Sequence, residues 1–269
     1  MRSLILKVTL SRETLACLCV IGLLFVGQTF SFAKIDPETL VGAWLFDENQ
    51  GDTAKDASGN GNDGTLLKSP EWVEGKFGQA LEFDGTNGVE IAHPEAFEFL
   101  TWTYVLWFRA EAGGDYPNLI GRQFANSHGW TIHLDPGGAT FRIRIDTDGG
   151  INQVRTVPKN VRDEEWHHGA ITQDDDNKTL ELYIDGVKGN LAYAGDYANS
   201  GGFLRIASPA VGAVNLNAGA IDEVAIFNTM LAEADILDIM ENGLGATGLL
   251  PVSSKGKLTS TWGLIKRGK

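Results

Sequence analysis

Cysteine is nearly absent: Cys17 and Cys19 are the only two, and both lie inside an apolar run from Leu15 to Val26. The rest of the chain has no disulfide or thiol chemistry available, so an exported domain must draw its stability from a large core or a bound metal. Positive charge is scarce as well. Lys and Arg number 22 against 35 Asp and Glu, a net charge of −13. That balance argues against nucleic acid and anionic membranes, which are recognised by clustered bases, and it suits solubility or cation capture. There is no Gly-x-Ser-x-Gly elbow, no His-Glu-x-x-His pair and no phosphate loop with Lys and Ser or Thr. The sequence thus lacks the signatures of the chemistries those motifs carry.

Long apolar runs are missing too. Leu15 to Val26 is twelve residues, short of the ~20 that a spanning helix needs. Arg2, Lys7 and Arg12 precede the run, and Ser31-Phe32-Ala33 places small residues where a signal peptidase requires them. Residues 1–33 therefore read as a secretory signal peptide cut after Ala33. A lipoprotein does not fit, because the apolar run continues beyond Cys17. The expected location is secreted or cell-surface, with no membrane insertion once the signal is removed.

From Leu40 to Phe227 helical periodicity gives way to short alternating runs such as "YVLWFRA", "GWTIHLD", "ATFRIRID" and "TLELYIDG", separated by Gly, Asn and Asp. Many short strands with turn signals between them predict an all-β sandwich or barrel. Asp185-Gly186 is a two-residue hairpin signal. One short helix is expected near the end, where Leu231, Ala234, Ile236 or Leu237 and Met240 follow helical spacing and Gly243 is placed to stop it. The domain is expected over 34–248. Residues 249–269 contain no acid but include Lys255, Lys257, Lys266, Arg267 and Lys269, and read as a basic tail.

Four motifs in order, "VGAWLFDENQGDTAKDASGNGNDGTL", "GKFGQALEFDG", "EWHHGAITQDDDNKTLELYIDG" and "GAIDEVAIFNTMLAEADI", resemble the laminin G-like domains of the concanavalin A-like lectin/glucanase group in their bacterial exported form. The resemblance runs from about Leu40 to Gly243. It implies a jelly-roll sandwich of two antiparallel sheets, first and last strands close together, and a role in glycan binding, protein binding, adhesion or spacing. Two departures stand out: Asn49-Gln50 before Gly51, where the family often has glycine, and Ala232, where Ser commonly caps the terminal helix.

The group includes glucanases, which use paired carboxylates about 5 to 5.5 Å apart for retaining hydrolysis. None of the close acidic pairs, Glu181 with Asp185, Asp163 with Glu165, or Asp222-Glu223, reproduces the glucanase pattern of acids at alternate positions. His167 and His168 are adjacent on a strand and point to opposite faces, so they do not share a metal.

Residues 56–65, "DASGNGNDGT", hold three glycines, two asparagines and two aspartates. With no Lys or Arg the stretch does not cradle phosphate. Its side chains either cap turns through their own backbone or surround a hard cation, and calcium takes 6 to 8 such oxygens. The calcium reading is preferred: Asp56, Asn60 and Asn62 with Asp47 at the end of the first strand and Asp222 on the last, which the resemblance brings near. Aromatics in polar loops, Tyr116, Tyr193, Tyr197 and Trp72, suit sugar stacking. Tyr116, Tyr193 and Tyr197 with Arg122 and His128 form the expected ligand rim. Trp44, Trp102, Trp107, Trp130 and Trp166 fall in strand-like runs and belong to the core. The sequence thus reads as a non-catalytic binding module for glycans or extracellular proteins. A glycoside hydrolase or lyase on the same fold, or a structural surface protein, is the alternative.

Overall fold

The computed structural model describes residues 35–112, 117–123, 129–135, 140–147, 150–155, 159–189, 202–207 and 218–251. The chain divides into two units, 1–33 and 34–269, and every described residue belongs to the second. The expected signal peptide lies outside the described residues, and so does the basic tail beyond Pro251.

In chain order the strands are β1 (Leu40–Trp44), β2 (Thr53–Ala54), β3 (Gly64–Leu67), β4 (Glu71–Glu74), β5 (Gln79–Asp84), β6 (Gly88–Ile91), β7 (Trp102–Ala110) and β8 (Asn118–Gln123). They continue as β9 (Gly129–Leu134), β10 (Phe141–Thr147), β11 (Gly150–Arg155), β12 (Trp166–Asp174), β13 (Thr179–Ile184), β14 (Val187–Lys188), β15 (Leu204–Ile206) and β16 (Ala218–Phe227). One α-helix among the described residues, α1 (Glu233–Asn242), follows. One sheet runs β14-β13-β12-β7-β16-β5-β4, with β1 also on β16; the other runs β11-β10-β9-β8-β15-β6-β3-β2. Every pairing is antiparallel. This is the jelly-roll sandwich that the alternation and the motif order predict. Among the described residues no helix is long and apolar enough to cross a membrane.

Alternation assigns each strand two faces. Tyr104, Leu106 and Phe108 of β7 point between the sheets to meet Trp130, Ile132, Leu134, Phe141 and Ile143 of β9 and β10, all nearly or fully buried. Val105 of β7, Ala170 of β12 and Ala225 of β16 point the other way, under Ile236 and Ile239 of α1. The first sheet therefore has its outer face sealed by the helix. Ala232 at the N-cap makes no side-chain cap bond, and Gly243 ends the helix at φ 73 with its N–H on Ile239 O. Leu249, the first residue assigned to the tail by composition, is only 4% exposed and packs with the helix, so the body of the domain reaches at least that far. Asp185-Gly186 makes the expected hairpin turn, with φ of 48 and 74 between Ile184 and Val187.

Polar side chains fasten two ends of the sandwich. The imidazole of His167, against the Phe108 ring, lies 2.9 Å from Asp185 through Nδ1 and 2.9 Å from Asp163 through Nε2. Carboxylates only accept, so both nitrogens donate when the ring is an imidazolium. Asp185 also pairs with Lys159 and accepts from His168 N. The bond to Asp185, opposed by burial and aided by Asp163, raises the His167 pKa. Burial works against ionised Asp185, but its bonds from His167, Lys159 and the His168 N–H hold it well below the usual carboxylate range. His168, on the opposite face, is neutral: burial pushes it down to about 3.

Arg122 is fully buried. Its guanidinium donates to Gly202 O at 2.9 Å, Phe97 O at 2.6 Å and Pro94 O at 2.8 Å, tying two connecting segments to β8. Its register partner is Trp130, which points into the core. The sequence places Arg122 on a ligand rim; its side chain is instead an interior fastener, because in-phase alternation with Ile120 turns it inward.

Replacing Arg122 with Met leaves three carbonyls without their charged donor, and urea unfolding is expected to register a loss of roughly 3 kcal/mol or more. The His167 clamp has its own pH window. Its raised pKa gives stability that is full below about 6.5 and lost as pH rises through the folded value, while Asp185 contributes above about 3.9 and loses it on acidification. His168, depressed, acts oppositely to His167 and costs stability below about 6.5. The stability gap between the native protein and His167→Gln, measured by urea unfolding, is therefore expected to be largest between about pH 4 and 6.5 and to shrink at higher pH. A gap that stays constant from pH 5 to 9 contradicts the charged clamp.

Candidate functional site

The stretch 56–65 closes on β1. Asp56 Oδ1 accepts from Ala43 N and Ser58 N, both at 3.0 Å, and its Oδ2 accepts from Asn62 N at 2.9 Å. Asn60 Nδ2 donates to Leu40 O at 2.7 Å and Val41 O at 3.0 Å; Asn62 Nδ2 donates to Val41 O at 2.9 Å. Ala57 N donates to Ala43 O, and Trp44 Nε1 to Asn62 O. β1 has its ladder partner β16 on one edge only, and these groups satisfy the other edge, as buried backbone requires. The side chains of Asp56, Asn60 and Asn62, expected as cation ligands, are engaged with backbone.

Asp47 and Asp222 do meet at one turn, Gly75 to Gln79. Asp47 Oδ1 accepts from Gln79 N and Asp222 Oδ2 from Phe77 N, both at 2.9 Å. A Cβ at Gly78, whose φ is +75, would collide with Asp47, and one at Gly75 would stand 2.6 Å from Asp222 Oδ2, so glycine is what admits both carboxylates. The turn sits where β16 changes partner: Ile221 faces Leu81 of β5, and Val224 faces Trp44 of β1. Between them the register with β7 slips, between Asp222 and Ala225. A bulge of this kind re-aims side chains. Here it brings adjacent Asp222 and Glu223 both into use.

Asp222 is fully buried and its Oδ1 has no hydrogen-bond partner. Glu223, 4% exposed, accepts from Leu244 N at 2.5 Å. Burial, then the charge of Glu223, pushes Asp222 up to about 7; burial and the charge of Asp47 push Glu223 up to about 7. The nearby ammonium of Lys76 lies over the Trp107 ring, 4.3 Å from its centroid. Phe46 and Glu223, flanking the two aspartates, hold left-handed backbones at φ 53 and 49, a cost that persists only where the surroundings impose it. Among the described residues no three His, Cys, Asp or Glu side chains form a ready metal cluster. The orphaned Asp222 oxygen and the repelling carboxylates are nevertheless what a hard cation would relieve, with backbone oxygens and water completing its shell. The sequence missed Glu223, because plain alternation turns it away from Asp222.

The second sheet offers a different surface. Its outer face bears Thr131 and His133 of β9, Arg142 and Arg144 of β10, Glu90 of β6 and Arg205 of β15. Arg142 pairs with Asp135 at 2.6 Å and Arg205 with Glu90 at 2.6 Å. Burial, then the charge of Arg142, pushes His133 down to about 4, so its ring is neutral and offers one donor and one acceptor. Thr131, His133 and Arg142 on this face are buried, at 6, 4 and 3% exposure. Elsewhere Glu82, Arg109, Glu111, Glu164 and Gly219 line a cavity of about 200 Å³, where Arg109 binds Glu82 at 3.0 Å and lies over the half-buried Trp166. Tyr116, Tyr193, Tyr197 and His128, expected on a ligand rim, lie outside the described residues. Trp72 is on β4, partly buried against the core.

Among curated proteins none matches the chain by sequence. Among solved structures, the chain is similar to the binding domain of Paraclostridial Mosquitocidal Protein 1, at TM-score 0.59 and 17% identity over 76% of this chain and 52% of that one. It thus spans about half the length of that toxin domain. It is also similar to domain 4 of AbnA, a GH43 extracellular arabinanase from Geobacillus stearothermophilus, in complex with arabinotriose, at TM-score 0.59 and 20% identity over 75% of this chain and 98% of that one. A third is the Ruminococcus gnavus IT-sialidase CBM40 bound to alpha2,3 sialyllactose, at TM-score 0.52 and 15% identity over 60% and 96%. At these identities the likeness is one of fold. A family model described as the concanavalin A-like lectin/glucanases superfamily matches residues 83–237, more than half of the chain, and on that match, with two antiparallel sheets behind it, the chain belongs to this superfamily.

Proposed function

We propose that the chain is an exported binding module that recognises glycans at a cell surface or in the surrounding matrix and is stabilised by one calcium ion. The observation that carries the binding reading is the asymmetry of the two outer faces. Helix α1 seals one with apolar contacts, whereas the other carries polar side chains in rows, of which Arg144, Arg205 and Glu90 are partly exposed and Thr131, His133 and Arg142 are buried. Such a surface meets sugar hydroxyls with preset donors and acceptors, and fixed groups lose little freedom on binding. The arabinotriose and sialyllactose complexes of similar folds support a glycan ligand.

Calcium would be held by Asp47 and Asp222, with Glu223 close behind. It would supply positive charge to carboxylates that burial otherwise drives towards protonation. Its role is structural, since these groups lie where β1, β5 and β16 converge. The stretch 56–65 supports the site only by holding β1 in place.

Two outcomes are expected. On an array of oligosaccharides the purified protein binds at least one class without cleaving it; a folded protein that binds none sinks the glycan reading and moves the search to protein ligands. Calcium at about 100 times its dissociation constant adds ~2.7 kcal/mol of stability, seen as a lower melting temperature after chelation, and Asp222→Asn removes that difference. Melting curves that coincide with and without calcium in the native protein rule the ion out.

A further inference from the structure

The apolar seal on the outer face of the first sheet stops short of one end. Val105 of β7 lies under α1, and Trp107, two residues on, lies under the Lys76 ammonium and against Phe77. Arg109, the next residue on that face, reaches solvent, with its side chain 32% exposed. The register sets it in a row. Glu71 of β4 faces Glu82 of β5, Glu82 faces Ala220 of β16, Ala220 faces Arg109, and Arg109 faces Trp166 of β12. Ala220 is fully buried, and its methyl group is small enough for Arg109 to close over it onto Glu82 at 3.0 Å. The same guanidinium lies 5.4 Å from the centroid of the Trp166 ring.

Beside this row is the cavity of about 200 Å³ lined by Glu82, Arg109, Glu111, Glu164 and Gly219. Its outer walls are fastened: Glu164 N donates to Ala110 O at 3.3 Å, and Glu111 O accepts from Arg162 Nε at 3.0 Å. Its floor stays bare, because a Cβ at Gly219, whose φ is +139, would collide with Arg109 O. The charges around it do not balance. Three glutamates share one arginine, Glu82 takes that arginine, and Glu71 sets a like charge opposite Glu82, which neighbouring strands disfavour. Glu111 and Glu164 are exposed, and among the described residues neither has an ion-pair partner.

Resting on the glycan reading above, we propose that this cavity seats the protonated amine of an unacetylated hexosamine, one residue in a polysaccharide of amino sugars. The cavity is smaller than the roughly 300 to 1,000 Å³ of pockets that enclose a drug-sized molecule, so it suits a single residue of a longer chain. An ammonium brings three donors and no acceptor, and Glu111 and Glu164 are acceptors in want of a cation. On a sugar ring the amine stands among hydroxyls, for which Arg109 and Glu82 offer a donor and an acceptor. A lysine side chain carries its ammonium on an apolar stem and leaves both of those unused.

The test is titration of the native protein at about pH 6, where amines of this kind carry a proton, with a glucosamine oligomer, the same oligomer fully N-acetylated, and a lysine oligomer of equal charge. The glucosamine oligomer is expected to bind about tenfold more tightly than its acetylated form, with an affinity that falls as salt rises. Glu111→Gln and Glu164→Gln are each expected to lose about threefold to fivefold, and the double variant to bind the two sugar oligomers alike, all with unchanged melting temperatures. Glu38 is exposed on the turn before Leu40, which faces Phe227 at the far end of β16; Glu38→Gln removes the same charge there and is expected to bind as the native protein does. An equal loss in Glu38→Gln means attraction to the acidic molecule as a whole and overturns the cavity. Equal binding of the amine and acetylated oligomers, or binding of neither, overturns it as well, and the oligosaccharide array then decides separately whether the glycan reading survives. A lysine oligomer that binds as tightly as the glucosamine oligomer overturns the sugar and assigns the cavity to a protein partner.

Discussion

The ladder between the first and last strands is the interaction on which the other features rest. β1 and β16 pair from Leu40 with Phe227 to Trp44 with Val224, and β16 also holds β5 and β7. That ladder gives the stretch 56–65 an edge to bind. It carries Asp47 to the turn where Asp222 waits, and it lays Ala225 and Phe227 under the helix. Contacts so distant in sequence are costly in chain entropy, so they need reinforcement where they are made. The carboxylates converge at that point.

The outer faces divide the work between them. One is used for stability: α1, with Leu231, Leu244 and Leu249, adds a second apolar cluster to the core between the sheets. The other keeps polar groups in registered rows and so retains chemical variety. A sandwich buried on both outer faces would gain apolar area and lose these polar rows. Keeping the face polar therefore costs some stability.

The fold was legible because its signals are local. Alternation located the strands, Asp185-Gly186 gave a hairpin, and Gly243 a helix end. Asp47 with Asp222 could be joined only through the motif order, since no local pattern links residues at opposite ends of the domain. The oxygen-rich stretch was ambiguous for a chemical reason: Asp and Asn groups that ligate a cation are the same groups that satisfy a strand edge, and composition does not say which. Arg122 was misjudged because charge outweighed phase, although its two-residue step from Ile120 pointed inward. Glu223 was invisible to any argument from alternation, because a bulge suspends alternation. The clamp at His167 joins Asp163, Asp185 and Lys159, and only folding brings the last two beside the ring.

Several strand edges are also blunted against unwanted partners. An unpaired strand edge is a template on which a second chain can add. Along β1 that template is already occupied, its carbonyls and amide taken by Asn60, Asn62 and Asp56. β4 places Glu71 and Glu74 at its two ends, and β14 and β2 are only two residues long. At these edges a second molecule therefore finds no long backbone ladder to extend.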